Sequence, residues 1–161
     1  MADKLVLGLD LSISSPGFAV VRFGGGKPEL IHKSHLKTKS TYSHGQRLIA
    51  IERHLLNLID LFGPFDIVVR EKGFSMHAKT TQVLFKVVGV SDLALAKEGY
   101  TKILELAPTT IKKAVTGNGK ASKQEVAEAV DLIIGKQKYD TDDESDAVAV
   151  AIAYAKQAKL L

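Results

Sequence analysis

The sequence predicts an α/β fold, with one five-stranded mixed sheet and helices on both of its faces. Three strand-like segments follow one another closely at the start, which is typical of an antiparallel meander. Two more strand-like segments then alternate with segments of helical period, which is the pattern of parallel strands joined by helices. With 161 residues, 45% of them hydrophobic, the chain can bury one core, so we expect a single domain over residues 1–161.

The strand-like segments are apolar runs bounded by turn residues. The first, KLVLGLD, ends in Asp10, and the fourth, DIVVRE, ends in Glu71. A GGGK turn joins the second segment to the third. The predicted strands cover residues 4–10, 17–23, 29–36, 66–71 and 101–106.

Capping signals and a helical period predict five helices. Ser43 with Gln46, and Ser122 with Glu125, match the capping box that opens many helices. The final alanine-rich segment alternates like a strand, but alanine is the best helix former and acidic residues precede the segment. We therefore predict a helix there. The predicted helices cover residues 43–62, 78–98, 108–115, 122–134 and 145–155.

Four acidic residues lie at the ends of predicted elements. Asp10 and Glu71 end strands, and Asp143 and Asp146 lie at the start of the last helix, three residues apart and therefore on one face. Any one of them could instead be a turn former or a helix cap. The neighbouring Asp142 is an alternative to Asp143, which the three-residue spacing favours.

If these carboxylates converge, they need a cation. Like charges in contact raise one another's pKa, and a divalent ion removes that conflict. Ligands that are all oxygen select Mg²⁺, with Mn²⁺ as a substitute, over Zn²⁺. Two such ions about 3.5–4 Å apart can activate water and stabilise the leaving oxygen of a phosphodiester.

The positive charge favours contact with a phosphate backbone. Of the 22 basic residues, 18 are lysines, which act as point charges on phosphate, whereas reading of base edges favours arginine. Five lysines and one acid occupy residues 102–123, around a glycine-containing loop. Lys79 and Lys86 lie seven apart on one helix face. Both groups could also be solvated surface.

Several classes of protein are disfavoured. Without cysteine there is no disulfide, thiolate zinc site or cysteine nucleophile. The five histidines form no ligand pattern, and His77 is of interest only as a DNA contact. No segment reaches the roughly 18 apolar residues of a membrane span, and the N-terminus does not match a signal peptide. We expect a cytoplasmic protein without a membrane partner.

Four segments, in order, resemble the motifs of RuvC Holliday junction resolvases, which have a ribonuclease-H-like fold. The short first loop and small size are more similar to phage-type members, whose cytoplasm would be that of a bacterial host. Leu11-Ser12 follows Asp10 where bacterial members often have Pro-Gly. The four segments are LVLGLDLSISSPGFAVV (5–21), DIVVREKGFS (66–75), APTTIKKAVTGNGKASKQEV (107–126) and DESDAVAVAIAYA (143–155).

The resemblance implies a Mg²⁺-dependent endonuclease that nicks branched DNA, above all four-way junctions, with flaps and forks as further substrates. It implies a homodimer, for which the apolar surface of helix 78–98 (Val83, Leu84, Val87, Val90) is a candidate interface, although that surface could equally be core. The implied metal-binding and catalytic acids are Asp10, Glu71, Asp143 and Asp146. The implied DNA-binding residues are Phe74, Lys79, Lys86, Lys112, Lys113, Lys120 and Lys123.

Three of these residues have more specific implied roles. Lys112 and Lys123 correspond to lysines near the scissile phosphate, and Lys123 is also an implied catalytic residue that stabilises charge in the transition state. Phe74 corresponds to the aromatic residue that stacks on or wedges into bases, although packing under helix 78–98 is as compatible with its pattern.

Two other functions compete with this one. The segment DLSISSPG also suits the phosphate loop of an actin/hexokinase-like ATP-binding protein, but such proteins usually enclose ATP between two domains. A RuvC-like nuclease acting on ribosomal RNA precursors would use the same acidic residues.

Overall fold

A computed structural model describes residues 2–73 and 76–161 and contains the predicted kinds of element in the predicted order. The strand β5 is shorter than predicted, because residues 101–103 do not pair, and the last helix starts three residues earlier, at Asp142. The strands are β1 (Lys4–Asp10), β2 (Gly17–Phe23), β3 (Glu29–His35), β4 (Ile67–Glu71) and β5 (Leu104–Leu106). The helices are α1 (His44–Phe62), α2 (Ala78–Lys97), α3 (Pro108–Thr116), α4 (Lys123–Ile134) and α5 (Asp142–Gln157).

The strands form one mixed sheet in the order β3-β2-β1-β4-β5. The pairs β1–β2 and β2–β3 are antiparallel, whereas β1–β4 and β4–β5 are parallel. Since β1 and β4 run in the same direction and Leu9 pairs with Arg70, the last residues of the two strands, Asp10 and Glu71, lie side by side. The topology thus brings two distant acidic residues to one edge.

Helices cover both faces of the sheet, as predicted. One core contains Leu7 and Leu9 of β1, with buried residues of α1 and α2. The other contains Val6 of β1, with residues of α3, α4 and α5. The alternation of side chains along a strand therefore divides β1 between the two cores.

Helix α5 is buried on nearly all sides, which explains its misleading sequence pattern. Residues 147–153 and Ala155 are buried, because the sheet covers one side of α5 and helices α3 and α4 cover the other. A helix with no solvent-exposed face has no amphipathic period. Alternating Ala and Val therefore resembles a strand pattern even though the segment is helical.

Two glycines in the sheet allow α5 to lie very close. A Cβ atom on Gly8 would lie 2.4 Å from the carbonyl oxygen of Ala147, and one on Gly17 would lie 1.9 Å from that of Asp143. Any side chain at these positions would push the helix away. Within the described residues, no helix is long and apolar enough to cross a membrane.

We expect Gly8→Ala to destabilise the fold by about 1–3 kcal/mol, because the added methyl group overpacks the contact between β1 and α5. Gly26→Ala is the matched control, since nothing lies within 4 Å of a Cβ built there. Urea unfolding measures both. Equal free energies of unfolding for the Gly8→Ala variant and the wild type would show that close approach is not required.

Candidate active site

The four acidic residues predicted as ligands line one pocket. Asp10, Glu71, Asp143 and Asp146 surround a cavity of about 350 Å³ at the end of β1 and β4. Two of the predicted lysines, Lys112 and Lys123, line the same cavity, and its remaining wall is mostly apolar, with Ile111, Val126, Ala149 and Val150. Residues from four parts of the chain thus meet at one site.

Each acidic side chain is placed by the element that carries it. Asp10 and Glu71 are the last residues of adjacent parallel strands. Asp143 and Asp146 lie in the first two turns of α5, whose N-cap residue is Thr141, so Asp143 is not the cap. The positive end of the helix dipole favours acids there. Asp142 is exposed and does not line the pocket, whereas Asp143 does.

Burial and repulsion together raise the pKa values of the pocket acids. Burial, followed by the charges of Glu71, Asp146 and Asp143, raises the pKa of Asp10 to about 8. Burial also raises the pKa of Glu71. A hydrogen bond between the two side chains raises the pKa of Asp10 further and opposes the rise in the pKa of Glu71. Asp10 therefore retains its proton at neutral pH unless a cation is present. The all-oxygen donors and the excess of negative charge fit a hard divalent ion.

Lys123 supplies positive charge at the pocket. It is the first residue of α4, where the helix dipole disfavours a cation. Its Nζ lies 3.6 Å from Oδ2 of Asp146, and that carboxylate raises the pKa of the lysine. Burial raises the pKa of Asp146, although Lys123 opposes the shift. The ammonium group is largely exposed and can also reach a bound anion.

The other predicted DNA-binding residues lie outside the pocket. Lys113 and Lys120 are exposed near the loop between α3 and α4. Lys79 lines a separate cavity of about 510 Å³ beside the β1–β2 loop, and Lys86 is exposed, with Nζ 3.1 Å from Nδ1 of His44. Phe74 lies outside the described residues.

Three residues near the pocket were not predicted from the sequence as parts of the site. Ser15 donates a hydrogen bond to Oδ2 of Asp143 at 2.6 Å. Arg70, beside Glu71, is buried and pairs with Asp92 and Glu105 on the other face of the sheet. The third is Glu144. Of these three, only the position of Arg70 could be inferred from the sequence, because alternate residues of a strand point to opposite faces and Arg70 therefore points away from Glu71.

Glu144 belongs to a second group of potential ligands. Ligand atoms of His35, Asp140 and Glu144 lie within 4.8 Å of one another, and within the described residues only this group meets that separation. The ammonium group of Lys33 already supplies a positive charge to this group, because its Nζ lies 3.2 Å from Oε1 of Glu144. No three of the four pocket acids meet that separation.

One protein family and several individual proteins are similar to this chain over most of its length. The family described as "Crossover junction endodeoxyribonuclease RuvC" matches residues 6–154. The protein of that name from Treponema denticola is 33% identical over 148 residues, covering 91% of this chain and 83% of its own. The one from Alkaliphilus metalliredigens is 32% identical, covering 94% and 92%.

Solved structures agree with the sequence comparison. The structure of Thermus thermophilus RuvC in complex with Holliday junction substrate superposes with a TM-score of 0.89 at 27% identity, covering 98% of this chain and 96% of that one. The yeast mitochondrial resolvase Ydc2, at 18% identity and a TM-score of 0.69, shares the fold.

We expect Asp10→Asn to stabilise the metal-free protein. The folded state holds the proton of Asp10 up to about pH 8, whereas the unfolded chain loses it near pH 4, so stability is lost as the pH rises between these values. The asparagine removes that loss. The gain should be near zero at pH 4 and approach at most about 5 kcal/mol above pH 8, since one pKa unit corresponds to about 1.4 kcal/mol.

Thermal unfolding in chelator at pH 4 and pH 8.5 measures this difference, with Asp60→Asn as the control at an exposed position of α1. An Asp10→Asn variant that is less stable than the wild type at pH 8.5 would refute the electrostatic argument.

Proposed function

This chain belongs to the RuvC family of crossover junction endodeoxyribonucleases, and we propose that its acidic pocket hydrolyses phosphodiesters at four-way DNA junctions. The observation that carries the proposal is the meeting of Asp10, Glu71, Asp143 and Asp146 in one cavity with two lysines. We propose Mg²⁺ as the ion, with Mn²⁺ able to substitute. Flaps and forks are further branched substrates.

The four acids would hold the divalent ions. When bound, a pair of such ions supplies an activated water and stabilises the leaving oxygen. The protein itself would release the proton shared by Asp10 and Glu71 when the ions bind, and it holds the four carboxylates around the pocket. In hydrolysis an oxygen of water bonds to phosphorus, and one bond from phosphorus to a sugar oxygen breaks.

Lys123 would act on the phosphate. Since its ammonium lies 3.6 Å from Asp146 and its side chain is 74% exposed, Lys123 can turn from that carboxylate towards a scissile phosphate and stabilise charge in the transition state. Lys112, half-buried in the pocket wall, adds a second positive charge. Lys123 would therefore have two partners, Asp146 in the free protein and a phosphate in the complex with DNA.

The remaining lysines would follow the DNA backbone. Lys113 and Lys120 are exposed on α3 and the loop after it, and Lys79 and Lys86 are exposed on α2. Point charges on phosphate select the shape of a branched duplex more than its sequence. Phe74 is our candidate for stacking on bases, from its place in the family motif.

We propose a homodimer whose two-fold axis places one pocket on each of two symmetric strands. Of the four residues considered for an interface on α2, Val87 is fully buried in the core and Leu84 packs against that core, so the alternative of core packing holds for these two. Phe85 and Leu93 are instead 60% and 52% exposed on that helix. The outward apolar residues of α2 are therefore our candidate contact. We place the activity in the bacterial cytoplasm.

A labelled four-way junction, a linear duplex and a ribosomal RNA precursor, each with Mg²⁺ or with chelator, test the proposal. We expect paired nicks near the junction centre, lost in chelator. Cleavage of the RNA alone, or ATP hydrolysis without DNA cleavage, would contradict it.

In the same assay, Asp143→Asn should lower junction cleavage by about 100-fold or more, because it removes a proposed ligand. Junction binding in chelator should change little. Asp142→Asn is the matched control, since Asp142 is next to Asp143 in the chain but does not line the pocket. The reverse pattern would make Asp142 the ligand.

A further inference from the structure

Glu144 is a buried carboxylate that faces away from the acidic pocket. It lies between Asp143 and Asp146 in the first turn of α5 and is 2% exposed. Its Oε2 lies 2.8 Å from Nδ1 of His35, and its Oε1 lies 3.2 Å from Nζ of Lys33 and accepts a hydrogen bond from the backbone N–H of Asp140 at 3.0 Å. Both of its oxygens are therefore engaged.

These contacts tie the start of α5 to strand β3. Lys33 and His35 are alternate residues of that strand, so their side chains share the face that α5 covers. His35 also pairs with Gly17, whose Cα lies against the carbonyl of Asp143. Charge pairing through Glu144 and close backbone contact thus occur at the same place.

The opposite side of this helical turn is held by a different bond. Ser15 donates to Oδ2 of Asp143 at 2.6 Å. The N-cap residue Thr141 makes no side-chain capping bond, in contrast to Ser43 and Ser122, which cap α1 and α4. Without an ordinary cap, the contacts of Glu144 and Asp143 help to hold this turn against the sheet, together with the packing of α5.

We infer that Glu144 is a positioning residue, which fixes the first turn of α5 against β3 so that Asp143 and Asp146 face Asp10 and Glu71. This inference rests on the proposed function of the pocket. Glu144 acts through its neighbours and does not itself line the cavity. The arrangement is a charge-paired anchor on one side of a helix and a ligand pair on the other.

A metal ion at His35, Asp140 and Glu144 is the competing interpretation of the same cluster. Lys33 argues against it, since its ammonium already lies 3.2 Å from Glu144 and would be expelled or repelled by a divalent ion. The two interpretations predict opposite effects of removing Lys33. An anchor weakens when Lys33 is lost, whereas a metal site improves.

The test compares Glu144→Gln, Lys33→Met and Glu29→Gln with the wild-type protein. The first two weaken the anchor. The third breaks an exposed ion pair with Arg22 at the other end of β3 and is the matched control. Junction cleavage is measured against Mn²⁺ concentration well below the unfolding temperature, and junction binding is measured separately in chelator.

We expect Glu144→Gln and Lys33→Met to raise the Mn²⁺ concentration for half-maximal cleavage by about tenfold. Saturating Mn²⁺ should restore most of the rate, and junction affinity should stay within about twofold, because the DNA-contacting lysines are unchanged. Loss of stability alone would lower the folded fraction without moving the metal midpoint.

Two results would overturn the inference while leaving the proposed function intact. One is a wild-type metal midpoint for Glu144→Gln in folded protein, and the other is a lower midpoint for Lys33→Met. If wild type and Glu29→Gln also fail to cut the junction, the proposed function itself is wrong. Circular dichroism confirms that each variant is folded at the assay temperature.

Discussion

Repulsion among four carboxylates that meet around a buried Asp10 is the interaction that the rest of the structure has to accommodate. Burial, followed by this repulsion, raises the pKa of Asp10 to about 8, so the metal-free pocket keeps a proton that a cation would replace. The fold tolerates this arrangement because Lys112 and Lys123 line the same cavity and because the sheet and α5 hold the acids from opposite sides. The site is costly without an ion, which is the expected condition for one built to bind it.

Close packing of α5 on the sheet makes this meeting possible. Gly8 and Gly17 leave no side chain between strand and helix, and small alanines on α5 complete the contact. Parallel pairing of β1 with β4 brings the other two acids to the same edge. On the far side of the first helical turn, Glu144 is held by two cationic or ionisable groups of β3. Residues that do not line the pocket thus help to place the acids that do.

Local signals made much of the fold predictable. Both capping boxes form as predicted, since Ser43 and Ser122 bond the backbone three residues on. Convergence of the acids depends on the strand order, which local sequence patterns do not reveal. Glu144 and Ser15 were beyond sequence reasoning, because their partners are 109 and 128 residues away along the chain. Val87 was ambiguous for a similar reason: an apolar stripe on a helix does not say whether the core or another subunit covers it.

Crystals soaked in Mn²⁺ and measured at the manganese absorption edge test most directly whether the pocket is a metal centre. The anomalous signal locates the ion without any assumption about activity. We predict an anomalous peak within bonding distance of carboxylate oxygens of Asp10, Glu71, Asp143 and Asp146. The contact between Lys33 and Glu144 should be intact. A peak at His35, Asp140 and Glu144 instead, with none between Asp10 and Glu71, would contradict the account.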